Sequence, residues 1–153
     1  MHSFESVKAT LQPFFDDRPE VILVYLFGSF LRRPKGNFHD IDLALLVDHD
    51  QFEALDRARP YGYRASLGTD LAHTLRYDII DVTILNFASP LLLKRIIRTG
   101  ELIFCRAERN RIEFEISAFK RFADTANLRA IKRRYTKERI KTGLTAYVRS
   151  ATY

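Results

Sequence analysis

The chain has 153 residues, 46% hydrophobic and 29% charged, the size and composition of one globular domain with enough chain to bury a core. A lone Cys105 excludes an internal disulfide, and no apolar run approaches the roughly 18 residues needed to cross a bilayer, so no membrane association is expected. The opening MHSFESVKATLQPFF lacks the basic-then-apolar order of a signal peptide, which makes the cytoplasm the expected compartment.

Ser3 is a fitting N-cap for a first helix whose apolar stripe is Phe4, Val7, Leu11 and Phe14 or Phe15, with Pro13 expected to end or kink it. Two short β-branched and aromatic runs follow, Val21 to Phe27 and Ile41 to Val47, both expected as buried strands. Asp50 to Arg59 reads as a short helix, Pro60-Tyr61-Gly62 as a break, and Ser66 to Leu75 as a second helical stretch. Asp78 to Leu85 alternates as a strand, Ser89-Pro90 opens a helix that Gly100 stops near Thr99, and Glu101 to Cys105 is a short edge strand. Strands and helices alternating through short connections predict a mixed α/β sheet covered by helices. From Arg106 to Thr142, Ile112, Ile116, Phe119, Ala123, Ala126 and Ala130 recur at helical spacing and predict one long amphipathic helix.

Chemistry concentrates between the first two strands, in VILVYLFGSFLRRPKGNFHDIDLALLVD. On a strand, Asp40 and Asp42 project from one face about 6 to 7 Å apart while Ile41 turns to the core. Two carboxylates that close repel unless a proton or cation lies between them. Hard oxygen ligands at that spacing suit Mg²⁺, whose shell is completed by water and substrate phosphates. Gly28-Ser29 ends the other strand, where a close backbone approach and the Ser29 hydroxyl suit a phosphate; Arg32, Arg33 and Lys35 add positive charge in the same loop. Alone, Asp-x-Asp is more often a solvated turn and Gly-Ser more often a plain one. Together they describe a metal-bound triphosphate held between two strands.

Gly28-Ser29, ten intervening residues, Asp40-Ile41-Asp42 and the apolar Leu43 to Val47 resemble the signature of the polymerase-β-type nucleotidyltransferase superfamily. The small size resembles more narrowly the minimal nucleotidyltransferases, MNT-type antitoxins that partner HEPN-domain toxins. A third carboxylate belongs to that pattern, and Asp81-Val82-Thr83-Ile84-Leu85-Asn86 matches it. Asp78 competes, but lies three residues away and faces the opposite side of a regular strand. The resemblance spans roughly residues 20 to 105 and departs at His39, where the family commonly has Ser. It implies a nucleotidyltransferase fold and transfer of AMP from ATP to a tyrosine of the partner toxin, within a hetero-oligomer. It further implies two Mg²⁺ ions held by Asp40, Asp42 and Asp81, with Gly28, Ser29 and Arg32 on the nucleotide. Alternatives are transfer to an RNA end or a small molecule, or a steric antitoxin without turnover. His39, His49 and His73 read as surface residues, since no zinc-like spacing is present.

Charge divides the chain. Residues 106–153 hold 13 Lys or Arg against 5 Asp or Glu, whereas residues 1–105 hold 12 against 14. The expected organisation is therefore a nucleotidyltransferase core at 1–105 and a basic helical extension at 106–153 packed on the same domain. Within it Arg129 to Lys141 carries seven basic residues and one acid, which reads as a solvated face, a dock for an acidic partner, or a nucleic-acid contact.

Overall fold

The computed structural model describes residues 3–32 and 40–150, with side chains to residue 140. Arg33, Lys35 and His39 of the predicted loop, and the side chain of Lys141, lie outside the described residues. Four strands form one sheet in the order β3-β2-β1-β4: β1 (Val21–Phe27), β2 (Ile41–Val47), β3 (Ile80–Ile84) and β4 (Glu101–Cys105). β1 is antiparallel to both β2 and β4, and β2 is parallel to β3. The sheet is mixed, as the sequence predicts.

Period-2 alternation sends side chains to two cores. Val24, Leu26, Leu43 and Leu45 face α1 (Phe4–Asp16) and α4 (Gly62–Leu75), where Val7, Leu11, Phe15, Leu67 and Leu71 are buried. Leu23, Tyr25 and Ala44 face the other way, toward Leu93 and Ile96 of α5 (Pro90–Thr99) and Ala118 of α6 (Glu108–Asp124). Helices thus cover both faces of the sheet. A short helix α2 (Ser29–Arg32) follows β1 directly, and α3 (His49–Ala58) follows β2 from an Asp48 N-cap.

Local chemistry explains most boundaries. Ser3 and Ser6 close a reciprocal capping box, each side chain meeting the other's backbone N–H at 2.9 and 3.1 Å. Ser89 caps α5 with Pro90 at its first position. Asn86, in the 3-10 turn Leu85–Phe87 after β3, finishes the β2–β3 ladder with its side chain. Its amide accepts from the Val47 N–H at 3.1 Å and donates to the Val47 carbonyl at 2.8 Å.

Three expectations are corrected. Pro13 lies inside α1 and does not end it: the helix runs on to Asp16 and carries the fully buried Phe15 against Phe104, ring centroids 5.6 Å apart. α4 begins at Gly62, four residues earlier than expected, where Asp56 accepts from the Tyr63 N–H at 2.7 Å. The single long helix is two: α6 stops at Asp124 and α7 (Ala126–Ser150) restarts after Thr125, whose hydroxyl donates back to the carbonyls of Arg121 and Phe122.

α6 also packs on an unexpected face. Tyr25 on β1 donates to Glu115 at 2.6 Å, Arg111 donates to Glu115 at 2.7 Å, and Ala118 is buried beside them. Burial and the Glu115 bond push the Tyr25 hydroxyl above its ordinary pKa. The apolar stripe points outward instead: Ile112 is 45% exposed, Ile116 64% and Phe119 41%.

Candidate active site

Strand ends assemble the site. β1 stops at Phe27, opposite Asp42 in the antiparallel register, and β3 places Asp81 opposite Asp42 in the parallel one. Neighbouring strands lie about 4.8 Å apart, so Asp42 and Asp81 share one face of the sheet as adjacent carboxylates. Asp78 lies outside β3, in the turn before it. Asp40 immediately precedes β2 and accepts a 2.9 Å bond from the Ser29 hydroxyl. The Gly-Ser turn and the Asp pair, eleven residues apart at that contact, are therefore joined side chain to side chain.

Gly28 has two reasons to lack a side chain. Its φ is +84°, in the left-handed region, and a Cβ built there would lie 1.8 Å from Oδ2 of Asp42. The Asp42 carboxylate thus packs directly over the glycine backbone. This glycine is needed by the carboxylate as well as by the turn.

Electrostatics single out Asp42. Partial burial raises its pKa first, then repulsion from Asp40 and from Asp81; a Ser29 backbone hydrogen bond and the charge of Arg32 oppose the rise. Arg32, at the end of α2, is exposed and near enough to act on this group. Asp81 has a separate partner: Arg64, reaching from α4, donates to it at 2.9 Å. Arg64 and Asp81 line a cleft of about 600 Å³ with Tyr61, Thr69, His73 and Asp78. Nothing in the sequence near Arg64 marks it, because its role depends on how α4 packs along the edge strand.

These residues fit a hard divalent cation. An acidic cluster whose central member has a raised pKa is one that a cation would stabilise. Mg²⁺ needs only one or two protein carboxylates when phosphates complete its shell, which the Asp40–Asp42 pair provides. Among the described residues no three His, Cys, Asp or Glu side chains form a ready metal cluster; the Asp81 carboxylate is engaged by Arg64. His49 faces Glu53 and Phe87, and His73 lines the cleft beside Asp81. Among the described residues no helix is long and apolar enough to cross a membrane.

Solved structures share this fold. A chain of a toxin–antitoxin crystal structure with AMP-PNP superposes with a TM-score of 0.60 at 23% identity, over 84% of this chain and 94% of that one. A chain of the tri-AMPylated Shewanella oneidensis HEPN toxin in complex with MNT antitoxin gives 0.60 at 22%, over 86% and 98%. A chain of the MntA–HepT toxin–antitoxin structure gives 0.56 at 22%, over 86% and 95%. At such identities the likeness is one of fold. No curated protein matches the chain in sequence. The family model described as "Polymerase beta, Nucleotidyltransferase" matches residues 9–109, the span that holds all four strands and every carboxylate of the site, and the chain belongs to that nucleotidyltransferase family.

Proposed function

We propose that this protein transfers AMP from ATP to a tyrosine of a HEPN-type toxin and acts as that toxin's antitoxin. The observation that carries the reading is the meeting of Asp42 and Asp81 in one strand register, beside a Gly28-Ser29 turn already bonded to Asp40. Burial, and after it repulsion from Asp40 and Asp81, raises the pKa of Asp42, and a purely steric binder has no use for carboxylates gathered in this way.

In this reading Ser29, its hydroxyl oriented by Asp40, and the backbone at Gly28 hold the β- and γ-phosphates. Arg32 offsets further phosphate charge from the exposed end of α2. Asp40, Asp42 and Asp81 would hold two Mg²⁺ ions, which when bound neutralise the triphosphate and lower the pKa of the acceptor hydroxyl. Asp81 would take the acceptor's proton, and to do so it must part from Arg64. The new bond joins the acceptor oxygen to the α-phosphorus. The bond from that phosphorus to the bridging oxygen breaks in line, and pyrophosphate leaves with the electron pair.

A protein acceptor, rather than a small molecule, is supported by α6. Ile112, Ile116 and Phe119 form an apolar stripe open to solvent, the composition of an interface core rather than of a free surface. The neighbours described above as toxin–antitoxin complexes agree with this in kind. The test is ATP labelled on the α-phosphate, incubated with Mg²⁺, this protein and a candidate HEPN-type partner. Label on a partner tyrosine, found as added AMP by mass spectrometry, is the expected result. In a parallel incubation with ATP labelled on the γ-phosphate, transfer of that label would refute nucleotidyl transfer. Label on RNA or a small molecule alone would move the acceptor, and a tight unlabelled complex would leave a steric antitoxin.

A further inference from the structure

α7 packs loosely on the domain. Of its described side chains all but Arg129 are exposed, so its sequence is not explained by the core. Its basic residues have a structural setting that the sequence does not reveal: one face of the helix stands across from α5, with Phe122 of α6 at the floor. Two adjoining clefts, of about 640 and 370 Å³, share Leu91 and Phe122 and together make one groove. α7 lines it with Arg129, Lys132, Arg133 and Lys137. α5 lines the other side with Lys94, Arg95 and Arg98. No carboxylate lines either cleft, and among the described residues none of these cations is paired with one.

We propose that this α5–α7 groove binds the phosphodiester backbone of single-stranded nucleic acid. The choice of occupant rests on what the groove contains and on what lies elsewhere. Protein interfaces are depleted of charge at their centre and built on apolar and aromatic anchors. The groove's own large apolar lining is Leu91 and a Phe122 whose ring is covered by two cations, whereas the larger exposed apolar clusters lie on other faces: Ile112, Ile116 and Phe119 on α6, and Leu128, Ile131 and Tyr135 on a separate stripe of α7 at i, i+3, i+7 spacing. Two facing rows of cations without a carboxylate match instead a flexible polyanion that threads between them. A groove walled by two helices favours a single strand over a rigid duplex.

The floor residue sets the mode of binding. Phe122 is covered by two cations, with the Arg129 guanidinium 3.5 Å and the Lys94 ammonium 4.0 Å from its ring centroid. Its π-surface is engaged by side chains and is not a free platform for a base. Recognition is therefore of phosphates, with little base preference and a strong dependence on salt.

The experiment is fluorescence anisotropy of a labelled oligouridine and an oligoadenosine of equal length, titrated with the full chain from 50 to 200 mM salt. Binding on the order of 10⁻⁵ M or tighter at the lowest salt is expected, similar for the two sequences, and falling linearly in log–log form. The variant Lys132→Gln/Arg133→Gln/Lys137→Gln should lower the salt slope by about 2, since a single strand contributes roughly 0.7 per neutralised phosphate. Lys8→Gln/Arg57→Gln/Arg109→Gln removes the same charge outside the groove and should leave the slope nearly intact. Lys94→Gln/Arg98→Gln, on a helix that packs in the core, reads the opposite wall even if the α7 variant loses helix. Equal losses in the groove and control variants, no binding by the parent at 50 mM salt, or clear preference for duplex DNA or an acidic peptide over both oligonucleotides would each overturn the proposal.

Discussion

The two parts of the chain handle charge and burial in opposite ways. The described residues up to Cys105 bury most of their apolar side chains on both faces of a sheet and gather acidic groups at the strand ends, in Asp40, Asp42 and Asp81. α6 and α7 bury a single side chain fully, Ala118, among their described residues and carry the net positive charge of the chain. A surface that the fold does not need to bury is free to be shaped by what it binds. Substitutions in the first part should therefore alter stability and chemistry together, and substitutions at the exposed side chains of the second should alter binding alone.

The largest effect should come from Asp42→Asn. Transfer should fall by more than the ~100-fold that loss of an outer-sphere partner to a metal costs. Stability should move the other way when measured with chelator present. The folded-state carboxyl has a raised pKa, so its favourable contribution is complete only below the ordinary value near 3.9 and is lost as pH rises through the raised one. At neutral pH the charged group destabilises the fold, and the neutral amide should raise Tm, with the difference vanishing in acid. Retained activity would remove the metal reading, while a lower Tm at pH 7 would mean that Asp42 is better solvated than its neighbours suggest.

Gly28→Ala should be next. The left-handed φ costs about 1–2 kcal/mol for a residue with a Cβ, and the 1.8 Å approach to the Asp42 carboxylate adds displacement of that group. Activity should therefore fall further than stability alone explains. Combining Gly28→Ala with Asp42→Ala relieves the contact but not the φ, so the pair should be clearly non-additive in denaturant unfolding. Additive losses would show that the glycine serves only the turn.

Tyr63→Phe probes the same part of the molecule away from the chemistry. Tyr63 donates to Glu20 at 2.8 Å, and Glu20 is 8% exposed, so the loss should be about 1–3 kcal/mol for a buried acceptor left without its donor. Burial and the Glu20 bond also push the Tyr63 hydroxyl above its ordinary pKa, so no tyrosinate should appear at that ring before the fold gives way in alkali. Early titration of Tyr63, followed by ultraviolet absorbance, would contradict that packing.

What was legible in the sequence follows from how local each signal is. β1 and β2 coincide with the apolar runs Val21–Phe27 and Ile41–Val47, because seven-residue β-branched stretches bounded by Gly and Asp have few other uses. Asp81 was marked by a resemblance in its own strand. Arg64, by contrast, meets it from seventeen residues away through the packing of α4, and nothing local announces that. The reason for Gly28 was half visible: a turn predicts glycine, but only the register Phe27–Asp42 brings a carboxylate onto its Cα. α6 misleads most. Its apolar periodicity suggested a buried stripe, yet the polar pair Arg111–Glu115 faces the sheet, because the buried Tyr25 hydroxyl requires a partner.

That inversion yields the smallest stability effect and the sharpest test of the contrast. Ile116 is 64% exposed on α6, so Ile116→Asp should change unfolding free energy by no more than about 0.5 kcal/mol, as surface changes away from special features do. If the stripe is where a partner protein seats, the same substitution places an unpaired charge at the centre of an apolar contact, and affinity should fall by about 10-fold or more, mainly through faster dissociation. Transfer to the partner should fall with it. The hydrolysis or exchange of ATP measured without the partner should stay at the parent level, because Asp40, Asp42 and Asp81 lie on other elements. A large loss of Tm with unchanged affinity would reverse the assignment, making α6 part of the core and leaving the acceptor to be held by the cleft beside Arg64.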